Sequence, residues 1–156
     1  MNMRKPGTPP SIDHLFFNGA GRAEVLKSRE KGFSVGAATK PSELHPDHSE
    51  DRYTATPSTI VIYDGMGGSE RGEKGAILAK EEVENGLHNL PPQPSAEKLA
   101  QELNAIIFRA NKNIYNQSEL NNDGTRKGHE DIGSTISLLK IWEGNHGEKK
   151  VVVANV

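Results

Sequence analysis

The chain has 156 residues, 33% of them hydrophobic and 26% charged, with a formal net charge of -2 and no cysteine. This length suits one domain with a moderate core. The near-neutral charge offers nothing to a nucleic-acid backbone or an anionic membrane, and the missing thiol excludes disulfides, thiolate metal sites and a Cys nucleophile.

Residues 1–30 open with MNMRKPGTPPS, rich in Pro, Gly and polar residues without a burial period, and read as an irregular or disordered lead-in. The folded part is expected over 31–156. Phe33 and Val35 alternate within Gly32–Thr39 and predict a half-buried strand. The stretch KPSELHPDHSEDRYTATPS carries three prolines and no helical period, so it reads as a long loop with a short extended piece at Arg52–Ala55. Ser58–Asp64 is β-branched and apolar on consecutive positions, the pattern of a central strand covered on both faces.

Ala76, Ala79, Val83, Leu87 and Leu90 recur at three and four residues and predict a helix from Gly72 to His88. After PPQP, Ser95 is a candidate N-cap for a second helix to Asn116, with Leu99, Leu103, Ile106, Ile107, Ala110 and Ile114 on its apolar face. A polar loop with two glycines follows. Ser134–Trp142 and Lys149–Val156 then read as strands joined by EGNHGE. Trp142, Phe16 and Phe17 read as packing residues. No apolar stretch reaches the roughly 18 residues of a membrane span, and Met1–Pro10 lacks a signal-peptide apolar region, so a cytoplasmic location is expected, with export by another route left open.

Chemistry concentrates in IVIYDGMGG, residues 60–68, where an apolar strand ends in Asp64 followed by Gly65, Gly67 and Gly68. Asp-Gly is a hairpin signal, but a helix follows the glycines, where a hairpin needs a return strand. A dinucleotide loop starting at Gly65 needs Gly at position 70, which is Glu70, and a phosphate-binding P-loop needs Lys where Glu73 stands. An acid at a strand end beside exposed carbonyls suits a hard divalent cation such as Mg²⁺ or Mn²⁺. Glu50 and Asp51 precede the neighbouring short strand and could join Asp64. Adjacent residues of an extended strand point to opposite faces, so only one of the two faces Asp64 unless the chain bends there. His45 and His48 in HPDH fall short of a four-ligand zinc site, and NNDGTRK lacks the spacing of a calcium loop.

EDRY, STIVIYDGMGGSERGEKGA, DIGSTISLL and VVVANV occur in the order and spacing of the PP2C (PPM) metal-dependent serine/threonine phosphatases, which the chain resembles from about Gly32 to Val156. The resemblance implies an α+β fold, the N-terminal half of an α-β-β-α sandwich in strand, strand, helix, helix, strand, strand order. It implies that two Mg²⁺ or Mn²⁺ ions serve the complete domain. Asp64 would bridge them, Gly65 would offer its carbonyl to one, and Glu50 would hold that same ion directly or through water. Asp51 would orient the attacking water. The implied reaction is in-line attack by a metal-bridging water on phosphoserine or phosphothreonine of a phosphoprotein, without a phosphoenzyme. Gly133, Ser134 and Thr135 match a strand segment taken as packing.

Departures from the pattern matter as well. Met66 stands where many eukaryotic relatives carry His, as in bacterial members, so a bacterial type is expected. Pro46 occupies the place of a phosphate-contacting Arg, and Arg52 and Arg71 are the candidate substitutes. The Gly-Asp-Ser segment and two later Asp ligands of the family do not occur in these residues. The chain alone is therefore expected to be inactive, to bind Mn²⁺ weakly at best, and to be partly disordered or to self-associate through the strand at Val151–Val156. The alternative is a non-catalytic pseudophosphatase, or truncated relative, used as an interaction module.

Overall fold

The computed structural model describes residues 12–16, 22–28, 33–40, 49–67, 70–117 and 132–156. In chain order these form β1 (Ile12–Phe16), β2 (Arg22–Ser28), β3 (Phe33–Thr39), β4 (Arg52–Thr56), β5 (Thr59–Met66), α1 (Glu70–His88), α2 (Ala96–Gln117), β6 (Gly133–Glu143) and β7 (Lys149–Asn155). The class is α+β. Strands β1-β2-β3 make one antiparallel sheet and β4-β5-β6-β7 a second, again antiparallel throughout.

Both helices form where the apolar spacing places them. In α1 the buried hydrophobic residues are Ala76, Ala79 and Val83, one face of a 3.6-residue period. In α2 they are Ala96, Leu99, Leu103, Ile106, Ile107, Ala110 and Ile114. Ser95 caps α2: its Oγ accepts the Lys98 N–H at 3.2 Å, and its carbonyl accepts the Leu99 N–H at 3.0 Å. The two helices lie on one face of the four-stranded sheet and bury Val61 and Tyr63 of β5, Ile136 and Leu138 of β6 and Val152 of β7. Each such aliphatic side chain contributes about 1.5–3 kcal/mol by leaving water. Trp142 packs at the margin of this core, and its Nε1–H donates to the Gln93 carbonyl at 2.9 Å, pinning the connection between the helices to β6.

Two expectations change. Strands β1 and β2 fall inside the 1–30 stretch read as an irregular lead-in. Their order comes from the backbone ladder that β2 makes with β3 along its whole length, a tertiary partner that local composition does not report. The other concerns β5, read as covered on both faces. Its burial alternates, with Thr59, Val61, Tyr63 and Gly65 inside and Ile62, Asp64 and Met66 exposed. The apolar residues of the second face are real, since Ile60, Leu139 and Val153 stand in one cross-strand row. Among the described residues no layer covers that face, and Ile62, Val151 and Val153 are 52%, 60% and 69% exposed. A continuous apolar run therefore signals two apolar faces, and among the described residues only one of them is filled.

Candidate functional site

The β4–β5 register brings the acids together. Arg52 pairs with Tyr63 at the last rung, so one step further along the two strands Asp51 falls opposite Asp64. The two carboxyl groups are electrostatic neighbours. Partial desolvation, then the Asp64 charge, then Glu50, hold the Asp51 carboxyl above its usual range, with Arg52 pulling the other way. A bend at Glu50 lets the neighbouring acid leave the strand plane. Its carboxylate lies against the first turns of α1, where a Cβ added to Gly72 would stand 2.7 Å from Oε2 and 2.9 Å from Cδ. Glu50 Oε1 is buried and has no hydrogen-bond partner. The question of which adjacent acid faces Asp64 thus resolves by the bend: Asp51 across the strand pair, Glu50 beneath the helix start.

Glycines make this approach possible. A Cβ on Gly65 would sit 2.1 Å from the Gly72 carbonyl oxygen and 2.6 Å from the Glu50 carbonyl oxygen, so the strand end, the acid loop and the helix share one small volume. Gly67 has a φ of 129°, open to glycine and unfavourable to other residues, which lets the chain leave β5 toward α1. One turn into the helix, a Cβ on Gly75 would lie 2.0 Å from the Gly133 carbonyl oxygen, seating α1 directly on β6. Across the β5–β6 ladder Asp64 stands opposite Thr135, and Gly65 opposite Ser134. The Gly133–Thr135 segment thus serves as a close-packed seat.

Arg52, a candidate phosphate contact, is occupied. Its Nη1 donates to the Ser49 carbonyl at 2.5 Å and the Asp51 carbonyl at 2.8 Å, while its Nη2 forms an ion pair with Glu73. Arg71 stands half-exposed in the first turn of α1, one residue before Gly72. Nearby, the buried Tyr63 hydroxyl lies 3.2 Å from Thr54 Oγ1, which donates to Glu84 Oε1 at 2.8 Å, and Lys80 pairs with Glu84 at 3.0 Å. Burial pushes the Tyr63 hydroxyl far above its usual range, so it stays protonated and links β4, β5 and α1. Pro46, His45, His48, Gly68, Phe17 and NNDGTRK lie outside the described residues.

Among the described residues no group of three or more His, Cys, Asp or Glu side chains is placed to hold a metal ion. The donors still fit a hard cation. A buried Glu50 carboxylate oxygen without a hydrogen-bond partner, and an Asp51 carboxyl whose charged form is disfavoured by partial burial and its Asp64 and Glu50 neighbours, are both features that a divalent ion with oxygen preference would relieve. Gly72, Gly75 and Glu73 had no part in the site on sequence grounds alone. The three-residue spacing of the two glycines, on one face of a helix, is the signal that could have flagged them.

No protein-family profile and no curated protein matches the chain. Among solved structures it is similar to the PPM Ser-Thr phosphatase MsPP from Mycobacterium smegmatis in complex with cacodylate, at 19% sequence identity and a TM-score of 0.47. The match covers 69% of this chain and 39% of that one. Among the described residues no helix is long and apolar enough to cross a membrane.

Proposed function

We propose that this chain carries the metal-binding half of a PP2C-type, metal-dependent phosphoserine/phosphothreonine protein phosphatase acting in the cytoplasm. The observation that supports the reading is the orphaned Glu50 carboxylate lying against the Cβ-free contact of Gly65 with Gly72, beside the strand rung that sets Asp51 opposite Asp64. Glu50, Asp64 and the Gly65 carbonyl would hold Mg²⁺ or Mn²⁺. Such ions supply charge neutralisation at the phosphoryl oxygens and a water acidic enough to attack phosphorus near neutral pH. Asp51, beside Asp64 and holding its proton more tightly than an isolated acid, is the group placed to orient that water and exchange a proton with it. Arg71, half-exposed in the first turn of α1, would be a candidate for the substrate phosphate.

Mn²⁺ binding is followed by water-proton relaxation in the wild-type chain and in Asp64→Asn, and phosphothreonine-peptide hydrolysis in a protein containing these residues. Weak binding that Asp64→Asn abolishes, and hydrolysis that needs Mn²⁺ and Asp64, are expected. Binding that survives the substitution, or hydrolysis without metal, overturns the reading. A non-catalytic interaction module is the second reading, favoured by the exposed apolar face at Ile62, Val151 and Val153.

A further inference from the structure

We propose that Arg52 and Glu73 form a positioning brace for the acid cluster, an assignment that rests on the metal-site reading above and removes Arg52 from substrate contact. Three independent ties define it. The guanidinium of Arg52 closes the turn that bears both acids, one nitrogen donating to the carbonyls of Ser49 and Asp51 on either side of Glu50. Its other terminal nitrogen holds Glu73, the residue after Gly72, against whose Cα the Glu50 carboxylate rests. Ser49 completes the turn: its Oγ accepts the Asp51 N–H at 3.2 Å and lies 2.9 Å from Thr39 Oγ1, which anchors the loop to the end of β3.

The brace therefore couples the two elements that must stay in register for a shared ion, the 49–51 turn and the first turn of α1. With 25% and 31% of their side chains exposed, Arg52 and Glu73 are shielded enough for the pair to hold geometry, which an exposed pair on a helix surface does poorly. The planar fork of Arg is what lets one side chain serve two carbonyls and a carboxylate at once. Lys cannot do this. A guanidinium so committed has both terminal nitrogens occupied and is not aimed at a phosphate.

The test measures Mn²⁺ affinity by water-proton relaxation, without phosphate or substrate, alongside thermal melting. The samples are the full chain, Glu73→Gln, Arg52→Lys, the double variant, and Lys80→Gln, which breaks a comparable ion pair elsewhere on α1. Glu73→Gln and Arg52→Lys are each expected to weaken Mn²⁺ binding at least tenfold, in the range that supporting residues of metal ligands command. The double variant should be no weaker than the worse single one, and Lys80→Gln should bind as the wild type does. If Glu73→Gln melts during the measurement, Arg52→Lys, which keeps a cation for Glu73, carries the same comparison. Wild-type Mn²⁺ affinity in folded Glu73→Gln or Arg52→Lys overturns the brace and leaves the metal site standing. Absence of Mn²⁺ binding in the wild type, or full binding in Asp64→Asn, instead overturns the reading on which the brace rests.

Discussion

Gly72→Ala separates geometry from stability at the acid cluster. The new Cβ would stand 2.7 Å from Glu50 Oε2 and 2.9 Å from Cδ, and ordinary contact begins at 3.4 Å, so the carboxylate must retreat by about 0.7 Å. It is the free end of a flexible side chain, and moving it costs little. The backbone carbon of Gly65, 3.2 Å away, has to give by only a few tenths of an ångström. Against this, replacing Gly by Ala in a helix gains up to about 1 kcal/mol, less this near the N-terminus. Stability should therefore stay within about 1 kcal/mol of wild type. Ligand distances in a metal site tolerate only about 0.2 Å, so the same 0.7 Å should reduce Mn²⁺ affinity at least tenfold. Urea unfolding followed by circular dichroism and Mn²⁺ relaxation titration, on one preparation, read both quantities. Unchanged Mn²⁺ affinity in a folded variant, or a loss of several kcal/mol of stability, would refute the reasoning.

Gly75→Ala should behave in the opposite way, because its Cβ would meet the backbone carbonyl of Gly133 at 2.0 Å, which no rotamer change relieves. An overpacking cost of about 1–3 kcal/mol or more exceeds the helix gain, so the urea midpoint should fall; a midpoint equal to or above wild type would contradict the close seating of α1. The raised pKa of Asp51 means that the folded state binds its proton more tightly than the unfolded chain, so this group favours folding on acidification and opposes it once ionised. In metal-free buffer Asp51→Asn should raise the melting temperature at neutral pH, by an amount that shrinks as the pH falls into the range where the wild-type carboxyl is protonated. A gain that is independent of pH would point elsewhere. On the open face of the sheet, Val153→Lys should lower concentration-dependent self-association in sedimentation experiments, since Val153 is 69% exposed on the edge strand β7; a wild-type chain that stays monomeric across the series removes that expectation.

The helices were legible because their information is local. Ala76, Ala79 and Val83 announce one buried face by spacing alone, and Ser95 announces a cap before a helix. Asp64 was legible for a similar reason, as an acid that ends an apolar strand and begins a glycine loop. What the sequence withheld depends on contacts between distant segments. That Asp51 faces Asp64 follows from the β4–β5 register, and that Glu50 turns under α1 follows from a bend whose supports, Arg52 and Glu73, stand 21 residues apart. Gly75 looks like a weak point in a helix until Gly133 is seen beneath it. Ile60 and Ile62 look like the interior of a central strand until the second face is found open.

The position of α1 and α2 between β5 and β6 has a consequence for the order in which the molecule assembles. The β4–β5 and β6–β7 ladders are hairpins between neighbours, of the kind that closes within about 1–10 μs. The β5–β6 ladder instead joins Thr59 and Lys140, 81 positions apart, and closes only when both helices have been gathered onto the sheet. Asp51 and Asp64 meet within the first hairpin, whereas the Gly133 seat of α1 lies on β6 and pairs with Met66 only in the β5–β6 ladder. The acids are therefore neighbours before they are a site. A local opening along β5–β6 would release the helix from its Gly133 seat above Glu50 and leave both hairpins paired, and hydrogen exchange at the β5–β6 amides would record it as a separate, earlier event than global unfolding.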